Sequence, residues 1–92
     1  MDLQELRDQL TRLDGELLAL IAERQRLSSE VARAKRATGH PTRDFQRERE
    51  VLLNARSAAA KLGLPPALAD NLLRLLIRSS LAIQEQAQVA AR

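Results

Sequence analysis

Cysteine is absent from this 92-residue sequence, and other residue types with distinctive chemistry are scarce. Without cysteine the chain forms neither disulfide bonds nor thiolates. His40 is the single histidine, which argues against a histidine-based metal site. Phe45 is the single aromatic residue, so stacking platforms for single-stranded nucleic acid are missing. We therefore expect no metal and no nucleic-acid partner.

Long apolar runs are also absent. The longest covers residues 17–22, whereas a membrane-spanning helix needs about 20 apolar residues. Met1 leads directly into a charged amphipathic pattern, without the apolar stretch of a signal peptide. We therefore expect no membrane partner and a cytoplasmic location.

Charge of both signs is plentiful, with 15 Lys and Arg against 12 Asp and Glu and a formal net charge of +3. The basic residues are interspersed with acidic ones, which is a poor pattern for a nucleic-acid surface. The small basic excess is compatible with a small anionic ligand.

Apolar residues recur at spacings of three and four, which predicts helices. Asp2 followed by Glu5 fits a capping box at the start of the first helix, and Thr42 is the expected N-cap of the second. The Asp14-Gly15 pair is a turn signal, but the apolar phase is the same on both sides, so we expect the helix to continue. The sequence therefore predicts an all-α fold in one domain, residues 1–92, with three helices at about 2–37, 43–62 and 65–90.

The predicted first helix is too long for a compact chain of this size. It would extend roughly 50 Å, whereas a compact 100-residue domain has a radius of gyration of about 13 Å. Its apolar stripe would face water unless a partner covered it, and a chain this small builds a marginal core. We therefore expect an intertwined homodimeric helical bundle. The alternative is a first helix broken at Gly15, which would give a monomeric four-helix bundle.

Two cations lie on the apolar face of the first helix. Leu17, Arg24 and Val31 are spaced by seven, and Lys35 follows Arg24 by eleven residues, about three helical turns. Burying an unpaired cation is costly, so each side chain needs an anionic partner. Their backbones would lie roughly 16 Å apart, which leaves room for a small ligand between the side chains. The alternative is that both extend to solvent or pair with protein carboxylates.

The other two helices carry polar residues of interest. Ser80 and Gln84 lie one turn apart on the apolar side of the third helix. If buried, they need hydrogen-bond partners, which the backbone, each other or a polar ligand would supply. The second helix opens with a charged run, in which Asp44 shares a side with Glu48 and is spaced to pair with Arg47. By itself such a run is typical of a solvated face.

These residues also carry a resemblance to a known family. On the first helix the fragments are Leu6-Arg7, Leu13-Asp14, Leu17-Leu18, Glu23-Arg24, Glu30-Val31 and Ala34-Lys35, followed by residues 43–50 and by Ser80 with Gln84. In this order and spacing the chain resembles the all-helical class of chorismate mutases, including mutase domains fused to prephenate dehydratase or prephenate dehydrogenase. The resemblance covers nearly the whole chain. It implies a cofactor-free isomerase that converts chorismate to prephenate in aromatic amino-acid biosynthesis, the shikimate pathway.

The resemblance also implies a role for each site residue in a homodimer. Arg24 and a cross-subunit Arg7 would hold the two carboxylates of chorismate. Lys35 and Gln84 would hydrogen-bond the ether oxygen of the breaking bond, so that Lys35, Gln84 and Arg24 form the catalytic set. The remaining contacts would come from Asp44 and Glu48 to the ring hydroxyl and from Arg47 and Ser80 to the carboxylate and other polar groups.

Other functions stay open at this point. An isochorismate-pyruvate lyase shares the fold and the carboxylate-binding residues, but its pattern lacks the acidic residue found here at Glu48. An aminodeoxychorismate mutase fits the same motifs. A helical regulatory or interaction module is the non-enzyme alternative, and it gives no reason for Arg24 and Lys35 in the apolar stripe. The resemblance also allows a pathway synthase as an activating partner, and a stand-alone chain or a fragment of a fused enzyme.

Overall fold

The computed structural model of this chain describes residues 1–90, so the last two residues of the predicted domain lie outside the described part. Three helices follow one another: α1 (Leu3–Thr38), α2 (Phe45–Leu62) and α3 (Pro66–Ala90). No strand occurs within residues 1–90. The prediction of an all-α chain with a long first helix is confirmed.

Helix α1 runs unbroken for 36 residues, as its sequence pattern predicts. Asp2 is its N-cap, because the Asp2 carboxylate accepts a hydrogen bond from the Glu5 backbone nitrogen at 2.8 Å. Gly39 ends it in the left-handed conformation, with φ of 72°, which glycine adopts without the steric penalty of a side chain. The helix passes through Gly15. The alternative of a helix broken there is therefore wrong, and with it the four-helix bundle that such a break would give.

The starts of α2 and α3 differ from the predicted ones by one or two residues. The N-cap of α2 is Asp44, not Thr42, and the Asp44 carboxylate accepts from the Arg47 backbone nitrogen at 3.0 Å. A charged carboxylate interacts favourably with the positive end of the helix dipole, which a neutral threonine does not. Helix α3 begins at Pro66 rather than at Pro65, whose carbonyl accepts the first helical hydrogen bonds. Pro66 fits that first position because its missing N–H would be unpaired there anyway.

Helix α3 packs against both α1 and α2. The buried apolar residues within 1–90 are the small Ala32 of α1 and Ala59 of α2. Asp70 of α3 links the helices at the surface by accepting hydrogen bonds from Arg56 of α2 and from Arg74 one turn away. The packing of α3 on α1 and α2 places the C-terminal half of α1, the start of α2 and the middle of α3 around one cleft.

The N-terminal half of α1 has no neighbour in its own chain. Every residue from 1 to 20 is exposed, including a row of leucines that the helix would normally bury. The chain measures 55 × 25 × 15 Å with a radius of gyration of 16.5 Å, against about 12 Å for a compact domain of this length. The helix thus projects beyond the packed part of its own chain. No helix within residues 1–90 combines the length and the hydropathy needed to cross a bilayer.

Candidate active site

A half-open cleft of about 310 Å³ lies between the C-terminal half of α1, the start of α2 and the middle of α3. Its apolar walls come mainly from leucine, isoleucine and valine side chains of the three helices. The volume is within the range of small-molecule sites. The cleft brings together seven of the eight site residues proposed from sequence: Arg24, Lys35, Asp44, Arg47, Glu48, Ser80 and Gln84.

Lys35 and Gln84 contact each other directly at one end of the cleft. The Lys35 ammonium nitrogen donates to the Gln84 Oε1 at 2.8 Å and to the Thr42 carbonyl at 2.6 Å. An ammonium group only donates, so the atom of Gln84 that faces it is the amide oxygen. The third ammonium proton and the Nε2 amide of Gln84 remain as donors for a ligand oxygen in the cleft.

Arg24 lies at the other end and turns its guanidinium inward. Its Nη1 donates to the Ser80 Oγ at 2.8 Å and to the Leu76 carbonyl at 3.4 Å. Burial lowers the pKa of Arg24, and the positive charge of Arg47 lowers it further. The group stays charged because an arginine guanidinium is not deprotonated in proteins. The Ser80 hydroxyl and the Leu76 carbonyl that accept from Arg24 are neutral, so the desolvated cation favours an anionic ligand.

The acidic side of the cleft is held by contacts at the start of α2, made by Asp44 and by Arg43 just before the helix. The Asp44 carboxylate is the N-cap of the helix and accepts from the Arg47 backbone nitrogen. Glu48 accepts two hydrogen bonds from Arg43, each of 3.0 Å, and the Arg43 guanidinium lies 4.5 Å from the centre of the Phe45 ring. Arg43 therefore fixes the Glu48 carboxylate at the rim. Arg47 lines the cleft and forms a 3.4 Å ion pair with Glu50.

Arg7 is the one proposed site residue that lies away from the cleft. It is exposed in the N-terminal half of α1, and the cleft lining does not include it. Seventeen residues of helix separate it from Arg24, a distance of about 25 Å. Arg7 therefore cannot reach the cleft of its own chain.

Two residues of this region were missed from sequence. Ser28 is buried, lines the cleft and lies 2.8 Å from Ser80 between the two hydroxyl oxygens. Its position one turn after Arg24, on the apolar face, was a signal that would have identified it. Arg43 contacts Glu48 at a spacing of five residues across the helix start, and no standard helical pairing rule predicts that contact.

Together, the helices and the cleft define an all-α protein with a small site lined by side chains of both charges. The family model described as chorismate mutase type II matches residues 6–85 of the chain. The chain belongs to this family.

Curated relatives agree with this assignment. The chain is 40% identical over 80 residues to the bifunctional chorismate mutase/prephenate dehydratase of Enterobacter agglomerans, with 87% of this chain and 21% of that protein covered. It is 39% identical over 79 residues to the T-protein of the same organism, with 86% and 21% covered. It is 30% identical over 84 residues to the chorismate mutase of Methanocaldococcus jannaschii, with 91% and 85% covered. The chain thus spans about a fifth of the first two relatives and most of the third.

Proposed function

We propose that the chain is a chorismate mutase, which rearranges chorismate to prephenate within one molecule. Family membership supports the reaction class, and the names of the relatives supply the substrate. The observation that carries the proposal is the hydrogen-bonded Lys35–Gln84 pair, which shares one cleft with the inward-turned Arg24. This arrangement offers donors at both ends of a small dianion.

The cations would bind and fold the substrate before the reaction. Arg24 would take one carboxylate through its forked guanidinium, and Arg47 lies close enough to add positive charge. Holding both ends of the molecule in the cleft would bring the two reacting carbons together over the ring. Because the rearrangement is unimolecular, such conformational restriction acts directly on the rate.

Lys35 and Gln84 would act on the transition state. As the carbon–oxygen bond breaks, negative charge grows on the ether oxygen. The third Lys35 proton and the Gln84 Nε2 amide would both donate to that oxygen, in a cleft with apolar walls where such bonds are stronger than in water. The Gln84–Lys35 hydrogen bond holds the ammonium in place before substrate arrives, so little reorganisation is needed.

The acidic residues would select the ring hydroxyl. Glu48 is held by Arg43 at the rim, and Asp44 is fixed by its role as the N-cap of α2. Carboxylates accept hydrogen bonds from a hydroxyl but repel a further carboxylate, so they would orient the dianion in one direction. Ser80, already bonded to Arg24, would complete the polar contacts at the carboxylate end.

We propose further that two chains form an intertwined homodimer in which each supplies Arg7 to the cleft of the other. The uncovered leucines of α1 support this, because an apolar row of that length is costly to leave in water. An antiparallel partner helix would bring its own N-terminal half alongside the C-terminal half of α1. Arg7 of the second chain would then face the carboxylate end of the cleft.

The test is an assay of the purified chain with chorismate, isochorismate and aminodeoxychorismate in turn, with product identification by mass spectrometry. We expect loss of chorismate with formation of prephenate. Release of pyruvate from isochorismate would indicate a lyase, and turnover of aminodeoxychorismate alone would indicate the related mutase. Absence of binding or turnover with all three would contradict the enzyme assignment and favour an interaction module.

A further inference from the structure

Ser28 is a buried polar residue of the cleft to which the proposed reaction gives no role. Its exposed fraction is 7%, the same as that of Gln84. It lies on α1 one turn after Arg24, and its side chain lines the cleft. A buried hydroxyl requires partners, so its hydrogen bonds define what it does.

The partners of Ser28 form a closed ring. Arg24 Nη1 lies 2.8 Å from the Ser80 Oγ, Ser80 Oγ lies 2.8 Å from the Ser28 Oγ, and Ser28 Oγ lies 3.1 Å from the Arg24 carbonyl oxygen. A guanidinium only donates, so the Ser80 oxygen accepts from Arg24. The Arg24 carbonyl only accepts, so it takes the single hydroxyl proton of Ser28, and Ser80 must therefore donate its own proton to the Ser28 oxygen. The three hydrogen bonds therefore begin and end on Arg24.

We propose that Ser28 is a positioning residue that holds the Ser80 hydroxyl as an acceptor and thereby fixes the Arg24 guanidinium for an incoming carboxylate. The proposal rests on the proposed function, in which Arg24 binds a substrate carboxylate. An arginine side chain has many rotamers, and ordering it before the substrate arrives lowers the entropic cost of binding.

The proposal makes a specific kinetic statement. In Ser28→Ala the Arg24 guanidinium is still present and still holds the substrate carboxylate, which keeps its charge throughout the rearrangement. Only the ordering of the side chain before binding is lost, and this weakens the bound substrate and the transition state equally. Loss of such uniform binding raises KM and leaves kcat unchanged. A general disturbance of the fold would instead lower kcat or the fraction of folded protein.

The chain offers a matched control in the adjacent serine. Ser29 also donates to the carbonyl one turn earlier, that of Gln25, at 3.5 Å, but it does not line the cleft. For Ser28→Ala we expect a KM for chorismate about 3- to 10-fold above wild type, the value of one hydrogen bond, with kcat within about twofold. For Ser29→Ala we expect both constants to match wild type.

A double-mutant cycle tests whether Ser28 acts through Ser80. Because Ser80→Ala already opens the ring, adding Ser28→Ala to it should raise KM little further. Circular dichroism and thermal melting confirm that each variant is folded. A KM for Ser28→Ala equal to that of Ser29→Ala, or effects of Ser28→Ala and Ser80→Ala that multiply, would overturn the proposal. Wild-type protein without mutase activity would overturn the proposed function and this inference with it. In an active enzyme, either of the two kinetic results just named would overturn this inference alone.

Discussion

Lys35 and Gln84 lie 49 positions apart in the sequence and are joined by a 2.8 Å hydrogen bond from the ammonium nitrogen to the amide oxygen. The bond crosses from α1 to α3, so the packing of these two helices decides whether the pair forms. Thr42, in the connection before α2, provides the second acceptor for Lys35. The Lys35 ammonium is thus held by contacts to α3 and to the connection between α1 and α2.

Replacing Lys35 by alanine should remove most of the proposed activity. The substitution deletes a donor to the ether oxygen, and a donor of this kind is worth about 100- to 1,000-fold in rate. Arg24→Ala should also lose most activity, through carboxylate binding. Lys61, an exposed lysine in the last turn of α2, provides the control, and Lys61→Ala should behave as wild type. Prephenate formation with native circular dichroism in Lys35→Ala would contradict the role.

Mixing two inactive variants should restore activity if Arg7 acts across the dimer. In a dimer of one Arg7→Ala chain and one Lys35→Ala chain, one cleft contains both substitutions and the other contains neither. Random re-pairing after denaturation and refolding should therefore give about one quarter of wild-type activity.

The control for that experiment is a mixture of Arg24→Ala with Lys35→Ala. Both residues line the cleft of one chain, so every cleft in a mixed dimer keeps one defect and no activity should return. Equal recovery in the two mixtures, or none in either, would be incompatible with a shared site.

A charge placed on the uncovered leucine row should separate the two chains. Leu10 is 59% exposed in the single chain, yet an aspartate there would be buried without a partner in the proposed dimer, at a cost of several kcal/mol. We expect Leu10→Asp to reduce the solution mass, measured by light scattering, towards that of one chain and to reduce activity with it. Gln9→Asp, on the neighbouring exposed position, should leave the mass unchanged.

Arg43→Gln should weaken activity without abolishing it. Arg43 holds Glu48 through two hydrogen bonds, so its loss frees the carboxylate to leave the rim of the cleft. We expect kcat/KM to fall by about 3- to 10-fold, the range of one or two hydrogen bonds. Arg49→Gln removes the same charge from an exposed position of α2 and should have a smaller effect. Equal losses in the two variants would show that only net charge matters.

Stability should depend on pH through Asp70. The hydrogen bond from Arg74, and then that from Arg56, lower the pKa of the Asp70 carboxylate below its ordinary value. A depressed pKa means that the contribution to stability is present above the ordinary aspartate pKa and is lost as the pH falls through the folded-state value. The melting temperature of Asp70→Asn should therefore lie below that of wild type at pH 7, and the gap should close as the medium is acidified. Asp14→Asn, at an exposed position of α1, should show no such convergence.

The sequence predicted the long helix because its apolar phase continues unchanged through Gly15, and the helix does continue. It also predicted that Arg24 and Lys35 would share one side of α1 with room for a small ligand between them, because both depart from an otherwise apolar face, and both line the same cleft. Their observed partners are a serine, a glutamine and backbone carbonyls, not carboxylates. Helical periodicity shows which residues of one helix share a face, so it places Arg24 and Lys35 on the same side of α1. It does not show which residues of the other helices they contact.

Other features required the three-dimensional structure. Thr42 and Asp44 are both acceptable N-caps, and the choice between them depends on the path of the connection from Gly39. The serine ring involves Ser28 and Ser80, which are brought together only by the packing of α1 on α3. Pairwise contacts between helices depend on crossing geometry, which a one-dimensional pattern does not contain.

Because a single chain buries few apolar side chains, the stability of the folded protein should depend on its concentration. With Ala32 and Ala59 as the buried apolar side chains of residues 1–90, an isolated copy has little apolar burial to offset the conformational entropy of the unfolded state. In the proposed homodimer, folding is coupled to dimerisation, so the rate of forming the native protein depends on the square of the chain concentration. The half-life of the native form would then lengthen as copies accumulate, and the cell's expression level would itself set how much protein survives.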